Sequence, residues 1–210
     1  MAQIWSFIGA GAVQQVGSGT ATIPVPSGYA SGNLLVICVA ASATPSTPTG
    51  WTAISTNGTH ASAFYKFAGS SESSVSMTLS SGSAVMLAYS TIAGFDVAAT
   101  YNSSSSATSI STNTQTTTST YDLLISLFTV SNSSNGDIPT TPTSTTSRAS
   151  GATALTYYGL RVVDEAQSTA GTSTSRTSTI SDALTFSSLA FSFKQGYPSS
   201  GSSFFLILPQ

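Results

Sequence analysis

The sequence predicts an all-β protein: a two-sheet β-sandwich of jelly-roll or related Greek-key type, built from a weak internal duplication. Three observations predict it. Apolar residues recur at period two, Val75-Met77-Leu79 alternating with serine and threonine and Leu189-Phe191-Phe193 with Ala190, Ser192 and Lys194. Helical periodicity is nearly absent, and with 6% charged residues there is almost nothing from which to build charged i,i+4 pairs that support helices. A series of strand motifs also recurs in the same order in both halves of the chain.

Taken in order, Ile4, Trp5, Phe7 and Ile8 form a short apolar segment before the flexible Gly9-Ala10-Gly11-Ala12, and residues 1–18 read as an N-terminal arm. Such an arm packs on its own core or reaches a neighbouring subunit. The first half, 19–100, starts with the alternation Ala21, Ile23, Val25. Leu34–Ala41 is a continuous apolar run and reads as a central strand buried on both faces. Asn57-Gly58 lies between Trp51–Thr56 and Thr59–Phe67, a strong hairpin signal. The polar stretch 101–120, rich in Ser and Thr, reads as a crossover strand or loop. The second half, 121–210, carries the buried run Leu123–Val130 and ends in a strand containing Phe204-Phe205-Leu206-Ile207-Leu208.

In the duplication, Gly32-Asn33-Leu34-Leu35-Val36-Ile37 matches Tyr121-Asp122-Leu123-Leu124-Ile125-Ser126. Next, Ala63–Phe67 matches Thr156–Leu160, and Leu87-Ala88-Tyr89 matches Leu189-Ala190-Phe191. Each half supplies about four strands and neither hides both faces of its own sheet, which predicts one sandwich domain over residues 1–210.

More than a third of the residues are Ser or Thr, against five Lys/Arg, seven Asp/Glu, one His and one Cys. Enzyme chemistry needs acids, bases or metal ligands gathered in one place. His60 alone, beside an Asn-Gly-Thr turn, makes no triad and reads as solvated. Asp164 and Glu165 are adjacent and point to opposite faces of a strand; Asp96, Asp122, Asp137 and Asp182 sit near strand ends or turns and read as turn caps. No carboxylate pair, metal site or cofactor is therefore expected, and the oxygen-bearing loop Asn132–Asp137 holds too few carboxylates for calcium. Five scattered cations make no basic patch, which excludes a nucleic-acid surface. No apolar stretch reaches membrane-spanning length. The start Met1-Ala2-Gln3-Ile4-Trp5 lacks the features of a signal peptide. Cys38, within an apolar run, reads as a small buried hydrophobe. Three Asn-x-Ser/Thr triplets, at Asn57, Asn102 and Asn132, are expected by chance in so Ser/Thr-rich a chain.

Trp51 follows the proline-rich turn Pro45-Ser46-Thr47-Pro48-Thr49-Gly50. It caps the sandwich where a loop re-enters the sheet or offers a flat face to a sugar ring. Of Tyr157 and Tyr158, one is expected outside.

The set Gly32-Asn33-Leu34-Leu35-Val36, Pro48-Thr49-Gly50-Trp51-Thr52, Phe64-Tyr65-Lys66-Phe67-Ala68-Gly69, Ala88-Tyr89-Ser90 and Gly94-Phe95-Asp96 resembles a β-sandwich family of tailed-bacteriophage virion proteins, also met in some bacterial surface proteins. Asn33 departs from that family's usual acid, which Asp122 keeps in the second copy. The resemblance covers 32–96 well and 121–194 loosely, and it carries no catalytic residues. It implies a non-enzymatic virion component assembled in the host cytoplasm. The expected role is a capsid decoration (cement) protein, a homotrimer seated on the major capsid protein; the alternative is a tail-fibre or carbohydrate/receptor-binding module. Candidate subunit contacts are Ile4, Trp5, Phe7, Ile8, Phe204 and Phe205; the candidate glycan contact is Trp51.

Overall fold

The structure, a computed structural model, describes residues 2–55, 60–131, 137–151 and 158–197. Every regular element among them is a strand: β1 (Ser6–Ala10), β2 (Gln14–Ile23), β3 (Leu34–Ala41), β4 (Thr52–Ser55), β5 (Ala61–Phe67), β6 (Val75–Ser90), β7 (Ile92–Ser111), β8 (Thr116–Thr117), β9 (Asp122–Val130), β10 (Thr146–Gly151), β11 (Gly159–Gln167), β12 (Gly171–Thr172) and β13 (Thr177–Gln195). Two large antiparallel sheets result, with a small third one formed by β8 and β12. The first runs β1-β6-β3-β5-β4 with β2 also on β6, and the second runs β10-β11-β9-β13-β7. The Asn57-Gly58 turn lies outside the described residues, but the strands it joins, β4 and β5, pair antiparallel.

The two continuous apolar runs are the central strands β3 and β9, buried along their whole length. Period two divides their side chains between two environments. Leu34, Val36 and Cys38 meet Leu123, Ile125 and Leu127 between the sheets, joined by Leu87, Leu189, Phe191 and Phe193. Leu35, Ile37 and Val39 point the other way and pack with Phe64, Met77, Leu79 and Met86. Each fully buried Leu, Ile or Phe contributes about 1.5–3 kcal/mol. A strand that uses both faces this way loses the alternation, and the polar residues that β9 keeps, Asp122, Ser126 and Thr129, are themselves buried.

The outer cores exist because β6 and β13 are long. The first half of β6 pairs only with β2, and this ribbon folds over the outer face of the first sheet, bringing Ala21, Ile23, Met77 and Leu79 onto Leu35, Ile37 and Val39. The bend falls at Ser81, whose φ is 46°, and at Gly82, where a Cβ would lie 2.6 Å from the Ala40 carbonyl oxygen. Only glycine admits so close an approach of two backbones. In the second sheet the distal part of the β7–β13 ribbon places Ile110, Ile180 and Leu184 against Phe128, Val130 and Val163 in the same way.

Both sheets have one topology. With β1 and β2 counted as one interrupted strand, the first half reads first-last-second-fourth-third across its sheet, and so does the second half from β7 to β10. The sheets lie face to face in opposite order, β1 over β10, β3 over β9 and β4 over β7, as a two-fold relation requires. Local details repeat too. Gly32 (φ 83°) and Tyr121 (φ 60°) are both left-handed. The next residues, Asn33 and Asp122, each accept a hydrogen bond from the amide three residues back, Ala30 and Ser119. Phe7 stands opposite Tyr89 as Phe95 stands opposite Phe193, and each pair is followed by a bulge, at Ile8 and at Asp96. A second bulge recurs at Ile54 in β4 and Arg148 in β10.

Three sequence expectations need correction. With Leu34 matched to Leu123, the ladders match Tyr89 to Phe193 and Phe67 to Ala166. Leu87–Tyr89 therefore corresponds to Phe191–Phe193, two residues beyond the expected match, and Ala63–Phe67 corresponds to Val162–Ala166, six beyond. Both slips are even, so they keep every side chain on its proper face and period-two reading cannot detect them. The two-sheet β-sandwich is as expected, but the chain does not alternate between its sheets as a jelly roll does. It passes between them at Thr91, left-handed at φ 57°, between β6 and β7. The stretch 101–120, expected as the crossover, is the distal half of β7 followed by β8, and residues 6–10 and 14–18 of the expected arm are strands of the first sheet.

Candidate functional site

Trp51 follows a turn closed by its own amide, which donates to the Pro48 carbonyl at 3.1 Å, with Gly50 left-handed at φ 80°. The ring is half-buried against the outer core of the first sheet, so the capping reading describes part of it. The rest lines a cleft of about 300 Å³ with Pro48, Thr49, Lys66, Glu72 and Ser73–Ser76. Lys66 reaches the cleft because it shares the outward side of β5 with Phe64, and its Nζ lies 5.8 Å from the Trp51 ring centroid, within cation–π range. It also donates to Glu72 Oε2 at 2.7 Å. Glu72 is held by the Gly69 amide, which donates to Oε1 at 2.6 Å, and its own amide donates to the Tyr29 hydroxyl at 2.6 Å. Burial pushes the Glu72 carboxyl up, but the bonds from Lys66 and Gly69 outweigh it and hold the group below its usual range. Sequence reasoning named Trp51 and missed its two charged neighbours. The signal was present: a lone lysine at an outward strand position, six residues before the glutamate of the next turn.

The apolar N-terminus is engaged with its own chain. Trp5 is 4% exposed, stands edge-on to Tyr89 at 6.2 Å and donates from Nε1 to the Tyr121 carbonyl at 2.8 Å. Of the candidate subunit contacts, Trp5 therefore has no surface left for a neighbour. Ile4, Phe7 and Ile8 are half-buried; Ile4 accepts no strand partner but donates its amide to Gln195 Oε1 at 2.7 Å. Phe204 and Phe205, with the rest of the final strand, lie outside the described residues, as do Tyr157, Asn132 and most of the Asn132–Asp137 loop.

The acids are less scattered than the sequence suggests. Asp122, fully buried at the start of β9, meets Asp96, which the β7 bulge turns towards it. Asp122 Oδ1 finds no N–H or hydroxyl donor, so the contact is favourable only with a proton between the two carboxyls. Burial and this contact push Asp122 up to about 6. Burial also acts on Asp96, but the Thr118 hydroxyl (2.5 Å) and amide (2.9 Å) outweigh it and hold Asp96 low. Lys194 stands 3.6 Å from Asp96, whose side chain has no exposed surface. A pair so closed to solvent has no room for the water or substrate of a hydrolase.

A second buried group sits towards the opposite edge of the sheet, on β10 and β11. The β10 bulge aims Arg148 inward, where its Nε donates to Asp164 at 2.7 Å while the guanidinium lies 4.4 Å from the Phe7 ring. Asp164 is 1% exposed; burial raises its carboxyl and Arg148 opposes the rise. Glu165 faces the other way and is bound through both oxygens by Arg176, at 2.8 and 2.5 Å. His60, expected in solvent, is half-buried and stacked on Tyr158 at 5.1 Å. Cys38 is buried as expected, which raises its thiol far above the ordinary range. Among the described residues no three His, Cys, Asp or Glu side chains gather as metal ligands, and no helix is long and apolar enough to cross a membrane.

Compared with protein-family models, with curated proteins and with solved structures, the chain matches none.

Proposed function

We propose that the chain is a non-enzymatic virion structural protein, a decoration (cement) subunit on the head of a tailed phage that binds its own copies and the major capsid protein. One observation supports this reading above others: all five cationic side chains are engaged within the chain. Lys66 pairs with Glu72, Arg148 with Asp164, Arg176 with Glu165 and Lys194 with Asp96, while Arg161 donates to the Pro139 carbonyl and to Ser147. What faces outward on β2 is hydroxyl, at Ser18, Thr20 and Thr22, all three exposed. Such a surface forms many hydrogen bonds without the desolvation cost of burying charge, which suits a permanent contact between subunits. Among the described residues the long strand β7 pairs on one side, and its other side offers a further edge for assembly.

Counting the chain against the major capsid protein in purified particles, by quantitative mass spectrometry, tests the reading. A ratio near one to one is expected. A handful of copies per particle favours the alternative of a tail-fibre or receptor-binding module, and absence from particles overturns both.

A further inference from the structure

We propose that the groove running from Trp51 along the start of β6 binds a neutral, unbranched oligosaccharide. The cleft at Trp51 continues into a second hollow of about 290 Å³, because both are lined by Pro48, Thr49 and Ser76. The result is a channel rather than a pit. One wall is the proline-rich turn before Trp51; the other is β6, where Ser76 and Thr78 stand on one face, about 6.6–6.8 Å apart by strand geometry. Regularly spaced hydroxyls along a channel match a ligand whose own hydroxyls repeat along its length.

The closed end supplies the two other features that a sugar ring needs. Trp51 is fixed by its contact with the core and presents the rest of its indole to the cleft, an apolar platform for the C–H face of a pyranose. Beside it, Lys66 and Glu72 place an ammonium and a carboxylate 2.7 Å apart. That is a donor next to an acceptor, the complement of two neighbouring hydroxyls, one of which donates to Glu72 while the other accepts from Lys66. Glu72 is already held by Gly69 and Tyr29, so little ordering is left to binding. The pair carries no net charge, and a sulfated or uronic-acid chain would meet the Glu72 carboxylate without a spare cation to answer it. This fits a neutral glycan.

The inference goes beyond the assembly reading and is tested separately from it. Trp5 is buried, so a fluorescence change on adding glycan reports on Trp51. The full chain is titrated with neutral hexasaccharides of α-1,4-glucose, β-1,4-glucose and β-1,4-N-acetylglucosamine, followed by fluorescence and calorimetry. At least one is expected to bind saturably and with little dependence on salt, as a neutral ligand should. Trp51→Ala is expected to weaken it about tenfold or more. Because Trp51 also packs on the core, Ser76→Arg serves as the second variant: it fills the channel from an exposed position, and it should abolish binding without moving the thermal midpoint. No heat and no fluorescence change with any of the three at millimolar glycan overturns the proposal, and so does binding that Ser76→Arg leaves intact.

Discussion

The buried Asp96–Asp122 pair makes the stability of this protein fall with rising pH across a defined window, and Asp122→Asn removes that fall. Asp122 is raised from the ordinary 3.8 to about 6. Between those values the folded chain keeps a proton that the unfolded chain releases, so stability declines as pH rises, by at most about 1.4 kcal/mol per pH unit. A shift of about 2 units integrates to about 3 kcal/mol. Asp96, held low, acts in the opposite sense: its contribution is present above the ordinary carboxylate range and is lost as pH falls through its folded value. The two together put the maximum near the acid end of the Asp122 window. Asp164, also raised by burial, adds a slope of the same sign as Asp122, so the informative quantity is the difference between wild type and Asp122→Asn. The amide keeps a donor for Asp96 at every pH. Urea unfolding at half-unit steps between about pH 4 and pH 8 measures it. The variant should gain on the wild type by up to about 3 kcal/mol as pH rises through 6. A difference that stays constant across the window, or a wild-type midpoint that climbs with pH there, would refute the reasoning.

Two further outcomes follow from the other buried groups. Arg148→Met strands the Asp164 carboxylate without its partner and should cost about 3–5 kcal/mol in urea unfolding, while Arg148→Ile combined with Asp164→Tyr, which copies the residues at the corresponding positions Ile54 and Tyr65, should recover most of the loss. Trp5→Ala empties a buried site and removes the bond to the Tyr121 carbonyl; a loss of about 3–5 kcal/mol is expected, with the same m-value, and a loss below about 1 kcal/mol would mean that the N-terminal strand is not part of the cooperative fold.

The strands were legible in the sequence wherever one physical rule acted alone. Leu34–Ala41 is apolar at every position, and Leu123–Val130 at all but Ser126 and Thr129, because β3 and β9 face a core on both sides, and the alternation around Met77 and Leu79 is that of a ribbon with one face on protein and one in water. The duplication was legible in its order but not in its register, since slips of two and six residues conserve every face. The bulges left no signal in composition at all. They decide where Arg148 and Asp96 point, so they decide which charges are brought together, and for that reason both buried ionic groups escaped sequence reasoning. Trp51 could be found because tryptophan after a Pro-x-Gly turn is rare in such a chain; Lys66 and Glu72 needed the β5 register and the turn at Gly69 to be placed beside it.

The two-fold relation between the sheets also says where function is to be sought. At one edge of the sandwich the corresponding positions hold Tyr65, Phe95 and Phe193, whose rings meet at 5.3–5.5 Å. At the other edge the same positions hold Asp164, Phe7 and Tyr89, with Arg148 opposite. Likewise Asn33 and Ile8 in the first half stand where Asp122 and Asp96 stand in the second. The charges of the second half thus stand where the first half has neutral residues, and their carboxylates are closed off from solvent. A buried ion pair is weak as a source of stability but costly to break, so these groups hold one register and one packing of the two sheets against others. That is a structural task. The groove at Trp51 has no such counterpart: the position matching Trp51 falls before β10, where the corresponding turn carries Ser144 and Thr145 and no aromatic ring. A feature present in one copy alone, open to solvent and built from an aromatic ring, an ion pair and a row of hydroxyls, is where binding chemistry separates from the requirements of the fold.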